Sequence, residues 1–138
     1  MAGTIVADDI QHSTAGSVGT EYVVSGSAKA WVNFNGTGTI AARDSFNQAS
    51  LTDNGTGNYA VNFTASLANA NFCFNGTSSG DSGNYGYTVI QGQTIGSNEF
   101  VYATGSIRLA TGFASDTSST ASGADAHQVN ISVLGDLA

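Results

Sequence analysis

Two runs of strict alternation, each joined to the same four-residue turn, constrain this chain more than anything else in it. In one, Ala28, Ala30, Val32 and Phe34 fall on one side and Lys29, Trp31 and Asn33 on the other. In the second, Asn58–Thr64, the side chains of Tyr59, Val61 and Phe63 oppose those of Ala60 and Asn62. A period of two marks a strand with one face buried. The tetrapeptide NGTG follows the first run at Asn35–Gly38 and precedes the second at Asn54–Gly57. Asn and Gly reach positive φ at little cost, so both copies predict hairpin turns.

Further strands are expected at Thr39–Arg43, Phe46–Thr52, Phe72–Phe74, Tyr85–Ile90, Glu99–Thr104, Ile107–Thr111 and Gln128–Leu134. Helical spacing is confined to the short stretch Thr64–Ala70. Asn75–Thr77 reads as a further turn, and the polar inserts SSGDSGN and SDTSSTASGADAH read as surface loops. An all-β fold, an antiparallel β-sandwich, follows from this pattern. With 138 residues the chain fits one such domain, over residues 25–138, preceded by an extended N-terminal segment over residues 1–24.

Charge narrows the partners. Three basic residues face ten acidic ones for a net charge of −7, which offers a nucleic-acid backbone no counter-charge and is repelled by an anionic membrane. The start of the chain lacks the pattern of a secretory signal and no 18-residue apolar run occurs, so synthesis in a cytoplasm without membrane insertion is expected. The acceptor pattern for N-glycosylation at Asn35, Asn54, Asn62, Asn75 and Asn130 is then a by-product of turn and strand composition. The single cysteine, Cys73, has no internal partner for a disulfide. Lying between Phe72 and Phe74, it is expected as a buried structural thiol. Eighteen glycines raise the entropy lost on folding. Association of subunits, most simply with cyclic symmetry, is expected to add burial.

Catalytic chemistry finds little to work with. The bases on offer, His12 and His127, sit in no nucleophile, metalloprotease, phosphate-loop or dinucleotide motif. Asp125 and His127 are too local to read as a triad and suggest a hydrogen bond within a loop, while Asp8 and Asp9 read as a solvated turn. Asp81 sits in SGDSGN without the alternating carboxylates and closing Glu of a calcium loop. A non-enzyme without metal or cofactor is the expectation. Trp31 is either a sugar-stacking platform or a ring filling the core or a subunit interface. The second role is assigned to it together with Phe34, Tyr59 and Phe63. Tyr85 and Tyr87, with Asp81 and Asn84 beside them, are the candidates for an exposed contact with glycan or protein.

The segments KAWVNFNGTGT, SFN and LTDNGTGNYAVNF, in that order from Lys29 to Phe63, resemble the domain that recurs at the ends of bacteriophage tail fibres and related virion fibres. SIRLATGF at Ser106–Phe113, VNISVLGDLA at Val129–Ala138 and the opening GTIVADDIQHSTAG are similar to the same group. The loops over 65–83 and 114–126 match least. The resemblance implies a β-rich homotrimeric structural protein of a virion, bound to tail, baseplate or capsid components and facing the host surface. The N-terminal segment, with Ile5, Val6 and Ile10, would then be the attachment to the particle. A capsid-decorating or cement protein, or a module binding host glycan or protein, are the competing expectations.

Overall fold

A computed structural model of the chain describes residues 3–79, 87–92, 102–114 and 121–138. It is an all-β structure of antiparallel strands with one short helix among the described residues. A small hairpin of β1 (Asp9–His12) and β2 (Gly16–Gly19) leads into α1 (Thr20–Gly26). The described part of the N-terminal segment, residues 3–24, therefore holds a hairpin and most of a helix. The helix has Gly19 at its N-cap without a side-chain cap, and seven residues hold no helix alone in water. It is fixed from outside: Thr20 donates its N–H to Asp8 O at 2.7 Å and its hydroxyl to Ala7 O at 2.7 Å. At the other end the buried Lys29 ammonium donates to Val24 O and, at 2.7 Å, to Ser27 O.

Two larger sheets follow. The first is ordered β4 (Ala41–Phe46), β3 (Ala30–Asn35), β12 (Gln128–Leu134), β7 (Cys73–Ser79). The second is built on β10 (Ser106–Ala114). Along one side of it lie β6 (Asn58–Phe63), itself paired with β5 (Gln48–Asp53), and β11 (Ala121–Gly123); along the other lie β9 (Tyr102–Ala103) and β8 (Tyr87–Gly92). The alternation predicted for β3 and β6 holds: Ala30, Val32, Phe34, Tyr59, Val61 and Phe63 are all buried. They share one core with Ile107 and Leu109 of β10 and Val129, Ile131 and Val133 of β12. Phe34 and Tyr59 bring the two sheets into ring contact, edge to face with centroids 5.2 Å apart.

Both NGTG copies are hairpin turns, joining β3 to β4 and β5 to β6. They also meet at the same place. Gly36 N donates to Ala126 O at 2.9 Å, and Gly57 N donates to Asp125 Oδ1 at 2.7 Å. At Gly57, with φ +65, a Cβ would lie 2.3 Å from Thr111 O and 2.6 Å from Ala124 N, so only glycine fits.

Several expectations need correction. Thr64–Ala70 is not helical; Leu67 instead makes an isolated bridge with Leu137. The expected strand Phe46–Thr52 is broken at Asn47, which has φ 56 and carries the chain from one sheet to the other. Its amide donates to Lys29 O at 2.9 Å and Ala65 O at 3.0 Å, and its Oδ1 accepts from Ala65 N at 2.7 Å. Asn75–Thr77 is not a turn but the middle of β7, and β11 lies inside the second polar insert. Cys73 is exposed rather than buried, because at the start of β7 Phe74 and the preceding Phe72 take the inward phase and leave the residue between them outside.

Candidate functional site on an outer sheet face

The strand registers of the first sheet stack its outward side chains into rows. Phe46, Trp31, Ser132 and Asn75 are successive cross-strand neighbours on β4, β3, β12 and β7. The next row is Asp44, Asn33, Asn130 and Thr77. Trp31 is 37% exposed and Phe46 52%. Two large rings thus stand side by side on the wet face of the sheet, and Trp31 is not a core residue. Phe34, Tyr59 and Phe63, predicted with it, are all core.

Beside the rings the side chains are small. Asn75, Gly76, Thr77, Asn130, Ile131 and Ser132 line a groove of about 270 Å³. The amide row at its edge is internally bonded: Asn33 Nδ2 donates to Asn130 Oδ1, and Asn130 Nδ2 donates to Thr77 Oγ1 at 3.3 Å. Gln128 Nε2 reaches the same Asn130 Oδ1 at 3.5 Å. A carboxamide has two hydrogens and two lone-pair sites. These bonds orient Asn33 and Asn130 without consuming all of their capacity. A bulge between Asn33 and Phe34 leaves Arg43 as the extra residue of β4. Its guanidinium turns back to donate to Phe34 O at 3.2 Å and His127 O at 2.6 Å.

Asp125 and His127 each reach a residue of an NGTG turn. Asp125 Oδ1 accepts from Gly57 N and lies 2.9 Å from the Tyr59 hydroxyl, so it bonds across the fold. The His127 ring stands 3.3 Å from Thr37 Oγ1. Burial, and then the hydrogen bond to and negative charge of Asp125, raise the pKa of Tyr59 above the ordinary phenol range. Among the described residues no three His, Cys, Asp or Glu side chains come together as metal ligands, and no helix is long and apolar enough to cross a membrane.

Ile5 and Val6 are almost fully exposed and Ile10 is half exposed. Asp81, Asn84 and Tyr85 lie outside the described residues; Tyr87 opens β8, with its side chain outside them. The amide row is the feature that sequence reasoning missed. Its members, Asn33, Thr77 and Asn130, are far apart in the chain, and only the register of β12 between β3 and β7 brings them together.

Comparison with family models, with curated proteins and with solved structures found no match to this chain.

Proposed function

We propose that the chain is a non-enzymatic structural protein of a bacteriophage virion, a fibre or tip subunit. In this reading the two sheets form a β-sandwich, three copies associate, and the N-terminal hairpin and helix supply the contacts to the particle and between copies. The observation that carries the reading is where the exposed apolar side chains lie. Ile5 and Val6 before the N-terminal hairpin, and Ile10, Val18, Tyr22, Val23 and Val24 in the hairpin and helix, are all exposed, whereas among the described residues of the β domain the exposed large apolar side chains are Trp31, Phe46 and Leu137 around a shared core. Side chains of this kind gathered on one short segment favour a partner surface. The resemblance of the strand motifs to virion fibre domains supplies the setting, and a composition rich in Ser, Thr, Asn and Gly with few charged residues suits exposure on a particle.

Particle incorporation tests this. Tagged full-length chain and a variant lacking Met1–Glu21 are supplied during infection, and purified virions are probed for the tag. The reading requires the full chain in the particle and a soluble, folded, unincorporated truncation. Equal incorporation of both refutes the attachment segment; absence of both from virions refutes the virion assignment.

A further inference from the structure

We infer that the outer face of the β4–β3–β12–β7 sheet binds a neutral saccharide, with Trp31 as the stacking platform and Asn33, Asn130 and Thr77 as the hydrogen-bonding row. This site is separate from the N-terminal segment and does not depend on the virion assignment.

Three observations carry it. Trp31 sits on a paired strand in the interior of a sheet, between β4 and β12, and yet shows more than a third of its surface to solvent. Its backbone is held on both sides, so the ring projects from a fixed point of the sheet. The C–H face of a pyranose packs on such a plane because an aromatic ring offers apolar area with a negative face toward weakly positive hydrogens. Next, a groove edged by Asn75, Thr77, Asn130 and Ser132 runs along β12 and β7, and Ser132 is the cross-strand neighbour of Trp31. Ligand sites combine apolar area with a few placed polar groups in this way. Finally, the amides of Asn33 and Asn130 are held by one another and by Thr77. Asn33 keeps one N–H and one acceptor site, and Asn130, whose Oδ1 already accepts from Asn33 and Gln128, keeps one N–H, so the row as a whole can meet hydroxyls that both donate and accept.

Charge selects among saccharides. Asp44 stands in the amide row, the Arg43 guanidinium is taken up by Phe34 O, His127 O and, at 3.5 Å, Asn33 Oδ1, and the chain carries −7 overall. Sulfated or uronic-acid polymers are repelled by such a field, so the ligand is neutral. A second copy of the chain is the weaker occupant: a subunit contact centred on Trp31 would have to bury Ser132, Asn75, Asn33 and Asn130 around it, whereas interface cores are depleted in such polar side chains.

Trp31 is the single tryptophan, so its fluorescence reports the site directly. Full-length protein is titrated with neutral gluco-, galacto- and manno-tetrasaccharides and, in parallel, with a sulfated and a uronic tetrasaccharide. A saturable change in Trp31 emission is expected for at least one neutral series, with none for the anionic ones. Calorimetry should show Trp31→Ala weakening that binding by roughly tenfold or more. Asn130→Ala should weaken it several-fold, with the circular dichroism of both variants unchanged. The inference is overturned if no neutral series gives a saturable response up to about 10 mM, which lies beyond ordinary weak affinity, or if Trp31→Ala or a folded Asn130→Ala binds as the parent does. Loss of oligomeric mass on Trp31→Ala, with emission already shielded in the parent, would also overturn it by making the face a contact between copies.

Discussion

The Tyr59 hydroxyl lies 2.9 Å from Asp125 Oδ1 and 2.8 Å from Gly36 O, with one proton to donate between them. Tyr59 comes from the strand after one NGTG turn, Gly36 from the other copy, and Asp125 from the loop that both turns grip. Tyr59→Phe keeps the ring against Phe34 and removes the bond; it should cost about 1–2 kcal/mol at neutral pH by urea denaturation.

The same residue sets an alkaline limit. Its pKa is raised in the folded state by burial first and by Asp125 second, and that of Tyr102 is raised by burial and then by the charge of Cys73. A group whose folded pKa exceeds its unfolded value contributes its full stability below the unfolded value, about 10 for tyrosine, and loses it as pH rises toward the folded one. Thermal melts should therefore show no tyrosine contribution to the pH dependence at neutrality and a falling midpoint above about pH 10. Tyr59→Phe should make that fall shallower.

Asn47 turns the chain between sheets in the left-handed region and bonds Lys29 O, Ala65 O and Ala65 N. Asn47→Ala loses the bonds and adds backbone strain, together about 2–4 kcal/mol. Asn47→Gly loses the bonds alone and should cost measurably less. Equal costs in chemical denaturation would mean that the φ of 56 is not a constraint.

Gly57 and Gly38 have nearly the same φ, +65 and +62, but a Cβ at Gly57 meets the Thr111 and Ala124 backbone while at Gly38 it meets nothing within 4 Å. Gly38→Ala should therefore cost only the left-handed strain, about 1–2 kcal/mol. Gly57→Ala should cost at least about 2 kcal/mol more, since packed backbone must move. Equilibrium unfolding of the pair separates the two effects.

Lys29 is buried, and its ammonium bonds Val24 O in the last turn of α1 and Ser27 O at its C-cap. Lys29→Met keeps the aliphatic stem and removes the donors. Faster amide exchange at Ser27, whose N–H is held by Val23 O, is expected, with protection in β3 and β6 retained.

Much of this fold was legible from alternation alone. The phases of Ala30–Phe34 and Tyr59–Phe63 placed the core correctly and put Trp31 opposite it. Cys73 departs from its expected burial because the phase of the flanking Phe residues, and not the apolar run, decides which way it faces. Asn47 was hidden because one polar residue between two β-prone stretches resembles an ordinary strand position, and its left-handed φ leaves no trace in the pattern. The amide row was out of reach: it depends on a register between strands about a hundred residues apart, which no local rule specifies.

The account rests on the exposed apolar segment over Ile5–Val24 meeting copies of itself and the particle. Light scattering of the purified full-length chain at micromolar concentration tests this most directly. A mass three times the 13.9 kDa chain is predicted, falling to one on removal of Met1–Glu21. A folded full-length monomer of 13.9 kDa would contradict it.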